Sequence, residues 1–159
     1  MLRPLYRSRQ VWHALAPRIE PEALDFARET LSEAEWRLFD AMERRDQRHA
    51  LEVALRLREK TDERGLLVAA LLHDCGKGDV PVWLRSLNVL SPGAVGRIAS
   101  KTGGGWRIAA FRLRHHVELS AELAQAAGCD PTTVRLIYGR VEPGETWQLD
   151  LLLAADDAS

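Results

Sequence analysis

The stretch RGLLVAALLHDCGKGDVP, residues 64–81, decides the fold. From Leu66 to Leu72 it is apolar all round. A helix with no polar face belongs in the centre of a bundle, covered by other helices. The run then ends on His73-Asp74, and Gly76 and Gly78 follow as expected helix stops. An ionisable pair at the end of a buried helix is costly unless something compensates both members. Neighbours on a helix diverge by about 100° and do not face each other. A cation beside the helix end can be reached by both, and nitrogen with carboxylate oxygen suits a borderline divalent metal.

Outward from this stretch, helical spacing continues in both directions, with no convincing alternating strand and no internal repeat. SEAEWRLFDAM begins with Ser32 and has Glu35 three residues on, the pattern of a capping box. Pro21 and Pro131 sit where a first helical turn tolerates proline, and Asp130 is a good N-cap for PTTVRLIYGR. RRDQRHALEVALRLREK alternates charge with Leu51, Val53, Leu55 and Leu57, an amphipathic helix with His49 in its first half. GAVGRIAS predicts a short helix, and Thr102-Gly103-Gly104-Gly105 a flexible link. WRIAAFRLRHHVELSAELAQAAG predicts a long helix bent near His115-His116, and ETWQLDLLLAADDAS a final apolar one. The expected architecture is all-α: a compact single-domain helical bundle of about eight or more helices, given ordinary helix lengths. Within it, residues 1–45 form N-terminal helices packing on the core, and residues 46–159 carry the site.

The bulk numbers restrict the function. The chain has 159 residues, 46% hydrophobic and 28% charged, with a formal net charge of -1. That is an ordinary globular profile with no basic excess, so no nucleic-acid partner is expected and any phosphate-binding charge must be local. Trp12, Trp36 and Phe39 read as packing residues, since no basic stripe accompanies them. Cys75 and Cys129 form no CxxC pair, which fits a reducing cytosol and a cytoplasmic protein. The longest apolar run falls far short of the ~20 residues that span a bilayer. The basic start, MLRPLYRSRQVWHALAP, reads as a surface helix, with no signal-peptide pattern.

Four segments in order carry a resemblance: DQRHALEVALRL with His49, LLVAALLHDCGKGDVP with His73-Asp74, HHVELSAELAQAAG, and LDLLLAADDAS with Asp156. This H…HD…D pattern resembles the HD-domain superfamily of metal-dependent phosphohydrolases, from about Asp46 to the C-terminus. The resemblance implies that His49, His73, Asp74 and Asp156 bind one divalent metal ion, whether Mn, Fe, Co, Ni, Zn or Mg. Asp156 matches better than Asp157, because the family's aspartate follows LLxAA. Asp74 and Lys77 are implied as catalytic residues, Asp74 orienting or deprotonating water and Lys77 holding phosphate or protonating the leaving oxygen.

His116, with His115 beside it, is implied as a substrate-binding position. Since the two diverge around a helix, at most one is expected to face the site, and His116 is the better match. Where many relatives place a His-His pair, this chain reads Tyr138, Gly139, Arg140, Val141. That departure favours a single ion and leaves Arg140 to offer a phosphate contact. The glycine run at 103–105 lacks the order of a phosphate loop and reads as a loop over the site. The implied activity is hydrolysis of a phosphomonoester or phosphodiester, of nucleotide type, by metal-activated water on a small phosphorylated substrate. The alternative is a catalytically silent module of the same fold that binds a ligand or serves in signalling.

Overall fold

The computed structural model describes residues 18–159. The amphipathic start, with Trp12 and His13, lies outside them, as does most of what residues 1–45 contribute before the first helix. Ten α-helices and one 3-10 turn make up the described chain: α1 Pro21–Thr30, α2 Glu33–Asp40, α3 Arg44–Arg58, α4 Arg64–Leu72, α5 Val82–Leu90, α6 Pro92–Ile98, α7 Gly105–Arg114, α8 His116–Ala126, α9 Pro131–Tyr138 and, after the turn at Pro143–Glu145, α10 Thr146–Asp157. The protein is all-α.

Local chemistry sets most boundaries. Ser32 and Glu35 form the expected capping box: the Ser32 amide donates to Glu35 Oε2 at 2.7 Å and the Glu35 amide to Ser32 Oγ at 3.4 Å. Glu35 is buried, and Cys129 Sγ and the Arg64 guanidinium also donate to it. At α9 the Thr133 amide donates to the Asp130 carboxylate at 3.0 Å, Pro131 takes the first turn, and Gly139 closes the helix at φ 71°.

Helix α4 is the centre. Leu66 through Leu72 are all buried, and the helix packs against α1, α2, α3, α9 and α10. Its core is shared by Phe26, Ala27 and Leu31 of the α1 region, Phe39 of α2, Leu51, Val53 and Leu57 of α3, Ala121 and Ala124 of α8, Leu136 and Ile137 of α9, and Leu152 and Ala155 of α10. A second, smaller core lies beside it, built from Val80, Leu84, Val95, Ala109, Ala110 and Leu113. Helices α5, α6 and α7 form this unit, inserted between α4 and α8. An ion-pair fork ties the two together. Arg85 donates to both Asp46 oxygens at 2.8 Å and to Glu43 at 2.7 Å, with Asp46 at the start of α3.

Two expectations need correction. The helix ends before the glycines: α4 stops at Leu72, His73 is its C-cap, and Asp74 already lies in a turn. Gly76 has no left-handed backbone; its role is close packing. A Cβ there would come within 2.6 Å of both the His116 carbonyl and the Ser120 amide, so only hydrogen lets α8 approach. The Gly76 amide donates to Ser120 Oγ at 2.8 Å across this contact. The long helix expected around His115-His116 is two helices, α7 and α8, broken at His115.

Candidate metal centre

Four elements converge on one cavity of about 360 Å³. Helix α3 supplies His49. The turn after α4 supplies His73, Asp74 and Lys77. Helix α8 opens with His116, and α10 brings Asp156. His49 Nε2 lies 2.8 Å from Asp156 Oδ1, and His73 Nε2 lies 3.6 Å from the same oxygen. His73 Nε2 is 3.5 Å from Asp74 Oδ2, a closeness possible because the pair has left the helix. Ligand atoms of His49, His73 and Asp74 all fall within 4.8 Å of one another.

The imidazoles are oriented from behind. His73 Nδ1 lies 2.8 Å from the Ala70 carbonyl, which can only accept, so Nδ1 donates and Nε2 faces the cluster. His116 repeats the device, with Nδ1 donating to the Leu113 carbonyl at 2.9 Å and Nε2 3.7 Å from Asp74 Oδ1. Anchoring one ring nitrogen on a carbonyl is how proteins fix a ligating histidine. His49, His73 and Asp74 thus gather as a cluster that fits a divalent cation, with Asp156 against both imidazoles.

The electrostatics show how strongly these groups depend on one another. Asp74 is only 2% exposed. Burial pushes its carboxyl pKa up, but His73, Lys77 and His116 together outweigh this and hold it below the ordinary value. The Lys77 ammonium donates directly to Asp74 Oδ2. Hydrogen bonds from His49 and then His73 hold Asp156 far below the carboxylate range. Burial opposes charge on His73, yet the Asp156 and Asp74 carboxylates prevail and raise its pKa. These are side chains arranged around concentrated negative charge.

The remaining expected site residues fall in different places. His116 lines this cavity; His115 does not. Its ring stacks on Phe111, centroids 4.5 Å apart, and lines a neighbouring depression with Lys101 and Arg112. Arg140 is exposed, with its guanidinium over the Tyr138 ring at 4.7 Å. Asp157 is exposed, one residue past the aspartate that meets His49. Cys75 is no part of the cluster. Burial pushes its thiol up to about 11, and Sγ points at the Ser120 carbonyl. The glycine run at 103–105 does not line the cavity.

The cavity's apolar wall escaped the sequence reading: Val117, Leu136, Ile137, Tyr138, Leu149, Leu152 and Leu153. Its signal was present in the spacing. Leu149, Leu152 and Leu153 precede Asp156 by seven, four and three residues and so share its helical face. Tyr138 and Gly139 line the wall where relatives were expected to carry histidines.

The comparisons with known proteins agree with this geometry in one respect and are silent in others. No curated protein and no solved structure matches the chain. A family model described as the HD domain matches residues 47–153, from just before His49 to just before Asp156. That family consists mostly of metal-dependent phosphohydrolases. With a match over the greater part of its length and His49, His73 and Asp74 gathered as a metal-type cluster, the chain belongs to the HD-domain family.

Proposed function

We propose that this protein is a metal-dependent phosphohydrolase acting on a small phosphomonoester or phosphodiester of nucleotide type. The observation that carries the reading is the convergence of His49, His73, Asp74 and Asp156 from three separate parts of the bundle onto one cavity that also receives Lys77 and His116. A structural helical protein has no use for that arrangement, because it concentrates charge where burial penalises it.

The ion is held by His49, His73, Asp74 and Asp156. When bound, a divalent cation supplies Lewis acidity toward a phosphoryl oxygen and a lowered pKa for water. Lys77 is the fixed cation of the site. Its bond to Asp74 keeps the ammonium at the cavity wall, where it neutralises charge on a phosphoryl oxygen or gives a proton to the leaving oxygen. Asp74 accepts a proton from water or orients it, with its second oxygen facing His116. His116, anchored through Nδ1 on the Leu113 carbonyl, turns Nε2 toward the cavity beside the phosphoryl group. The wall formed by Ile137, Tyr138, Leu149 and Leu153 packs against the organic part of the substrate, and Tyr138 gives it an aromatic face for a base. His115 and Arg140 have no part in this arrangement. One ion is proposed, because Tyr138 and Gly139 occupy the wall where further histidines would be needed.

The test is a phosphatase screen on the full chain with Mn²⁺, Co²⁺, Ni²⁺ or Mg²⁺, over nucleoside monophosphates, cyclic nucleotides and dinucleoside polyphosphates. Release of phosphate or nucleotide that needs the metal and vanishes in His73→Ala and Asp74→Ala is expected. Silence throughout, with one equivalent of metal bound and lost in the same variants, would replace this reading by a ligand-binding module of the same fold.

A further inference from the structure

The unit of α5, α6 and α7 carries a charge pattern unlike the rest of the chain. Between Asp79 and Glu118 there is no acidic residue, so all 23 carboxylate side chains lie elsewhere. The same interval contains Arg85, Arg97, Lys101, Arg107, Arg112 and Arg114. Arg85 is consumed by its fork to Asp46 and Glu43. The other five are exposed, and none makes an ion pair among the described residues.

The same unit exposes apolar surface. On α5, Val82 is 71% exposed, Trp83 53%, Val89 82% and Leu90 83%. Trp106, at the start of α7, is 43% exposed, and its ring lies 6.5 Å from that of Trp83. Arg107 sits 5.3 Å over the Trp106 ring, which brings cation and aromatic together. Large contiguous apolar surface on a monomer marks a docking site.

We infer that this face docks on the surface of an anionic lipid bilayer. Unpaired lysine and arginine beside exposed tryptophan and aliphatic side chains are what an interfacial element needs. The cations meet acidic headgroups, tryptophan rings settle at the headgroup level, and Val82, Val89 and Leu90 enter the acyl boundary. Other occupants fit less well. A single-stranded nucleic acid uses cations and aromatic rings, but has no use for exposed valine and leucine. A second copy meeting face to face brings like charges together. The chain's first seventeen residues carry Arg3, Arg7 and Arg9 and no carboxylate, so like charge disfavours them too.

The experiment is co-sedimentation of the full chain with vesicles of phosphatidylcholine and phosphatidylglycerol in equal parts, against phosphatidylcholine alone. Binding to the anionic vesicles that weakens with added salt is expected. Two variants, Val89→Ser/Leu90→Ser and Arg97→Glu/Arg107→Glu, should each lower partitioning by about tenfold or more. All four positions are exposed, and circular dichroism checks that both variants remain helical. No binding to the anionic vesicles overturns the inference. So does binding that both variants retain, equal binding to both kinds of vesicle, or vesicle-independent capture of single-stranded DNA or self-association that depends on these same residues.

Discussion

Helices α4 and α5 are each nine residues long and each strongly apolar, yet they meet opposite fates. In α4 every residue from Leu66 to Leu72 is buried. In α5 only Leu84 is fully buried, while Val82, Trp83, Val89 and Leu90 face outward. Composition separates them in part, since α5 carries Arg85, Ser86 and Asn88 where α4 is apolar all round from Leu66 to Leu72; their neighbours do the rest. Helix α4 is enclosed by α1, α2, α3, α9 and α10, drawn from both ends of the chain. Helix α5 packs chiefly on α6 and α7, and Arg85 uses its polar capacity to hold the unit to α3. The lesson is that an apolar helix is buried only as far as its shell extends, and a chain that supplies a complete shell for α4 leaves α5 with an open side.

This contrast can be broken by mutation. Leu71→Ala, in the middle of α4, should cost about 2–5 kcal/mol of global stability, while Leu90→Ala on α5 should stay within about 0.5 kcal/mol. Denaturant titration of both decides it; equal losses would mean that α5 is as integral as α4. The next largest effect tests the tether. Arg85→Met leaves Asp46 buried without its cation, and should lower the opening free energy of the α5–α7 unit by about 3 kcal/mol. Hydrogen exchange should then quicken in α5–α7 while α4 amides keep their protection. Uniform deprotection of both would show one cooperative unit in place of two.

The smallest effect concerns pH. Burial pushes the Glu35 pKa up, but the Ser32 amide and hydroxyl, Cys129 and Arg64 outweigh it, so the folded carboxyl sits below its ordinary value. Its contribution is complete above the unfolded pKa and is lost as pH falls through the lower folded one. Glu35→Gln should therefore lower stability at neutral pH, where that contribution is complete, and flatten the acid side of the curve below about pH 4.5, so that variant and parent converge there. Thermal melts across that range, on variant and parent, make the comparison. Helix α5 carries no carboxylate, so Leu90→Ala should leave that slope untouched.

Much of the candidate site was legible because its parts have separable signatures. An apolar run ending in His73-Asp74, a histidine inside an amphipathic helix, and an aspartate ending an apolar helix each mark a position. The capping box at Ser32 and the N-cap at Asp130 were legible for the same reason: both are local chemistry. What was not legible depends on distant partners. Gly76 looks like a helix stop, and only the approach of Ser120 and the His116 carbonyl shows it to be a packing contact. The fork from Arg85 to Asp46 spans 39 residues, and no spacing rule predicts it. The break at His115 turns on tertiary packing, since nothing in FRLRHHVEL forbids one continuous helix.

The pairing of His49 with Asp156 joins residues 107 apart. During synthesis, a growing chain presents His49, His73 and Asp74 long before α10 leaves the ribosome. Three of the four proposed ligands are then available with the cavity open on one side, lacking Leu149, Leu152 and Leu153. Docking of α10 is thus the act that brings Asp156 to His49 and closes the cavity wall. The same docking adds Leu152 and Ala155 to the main core, so one long-range contact completes both the core and the candidate site.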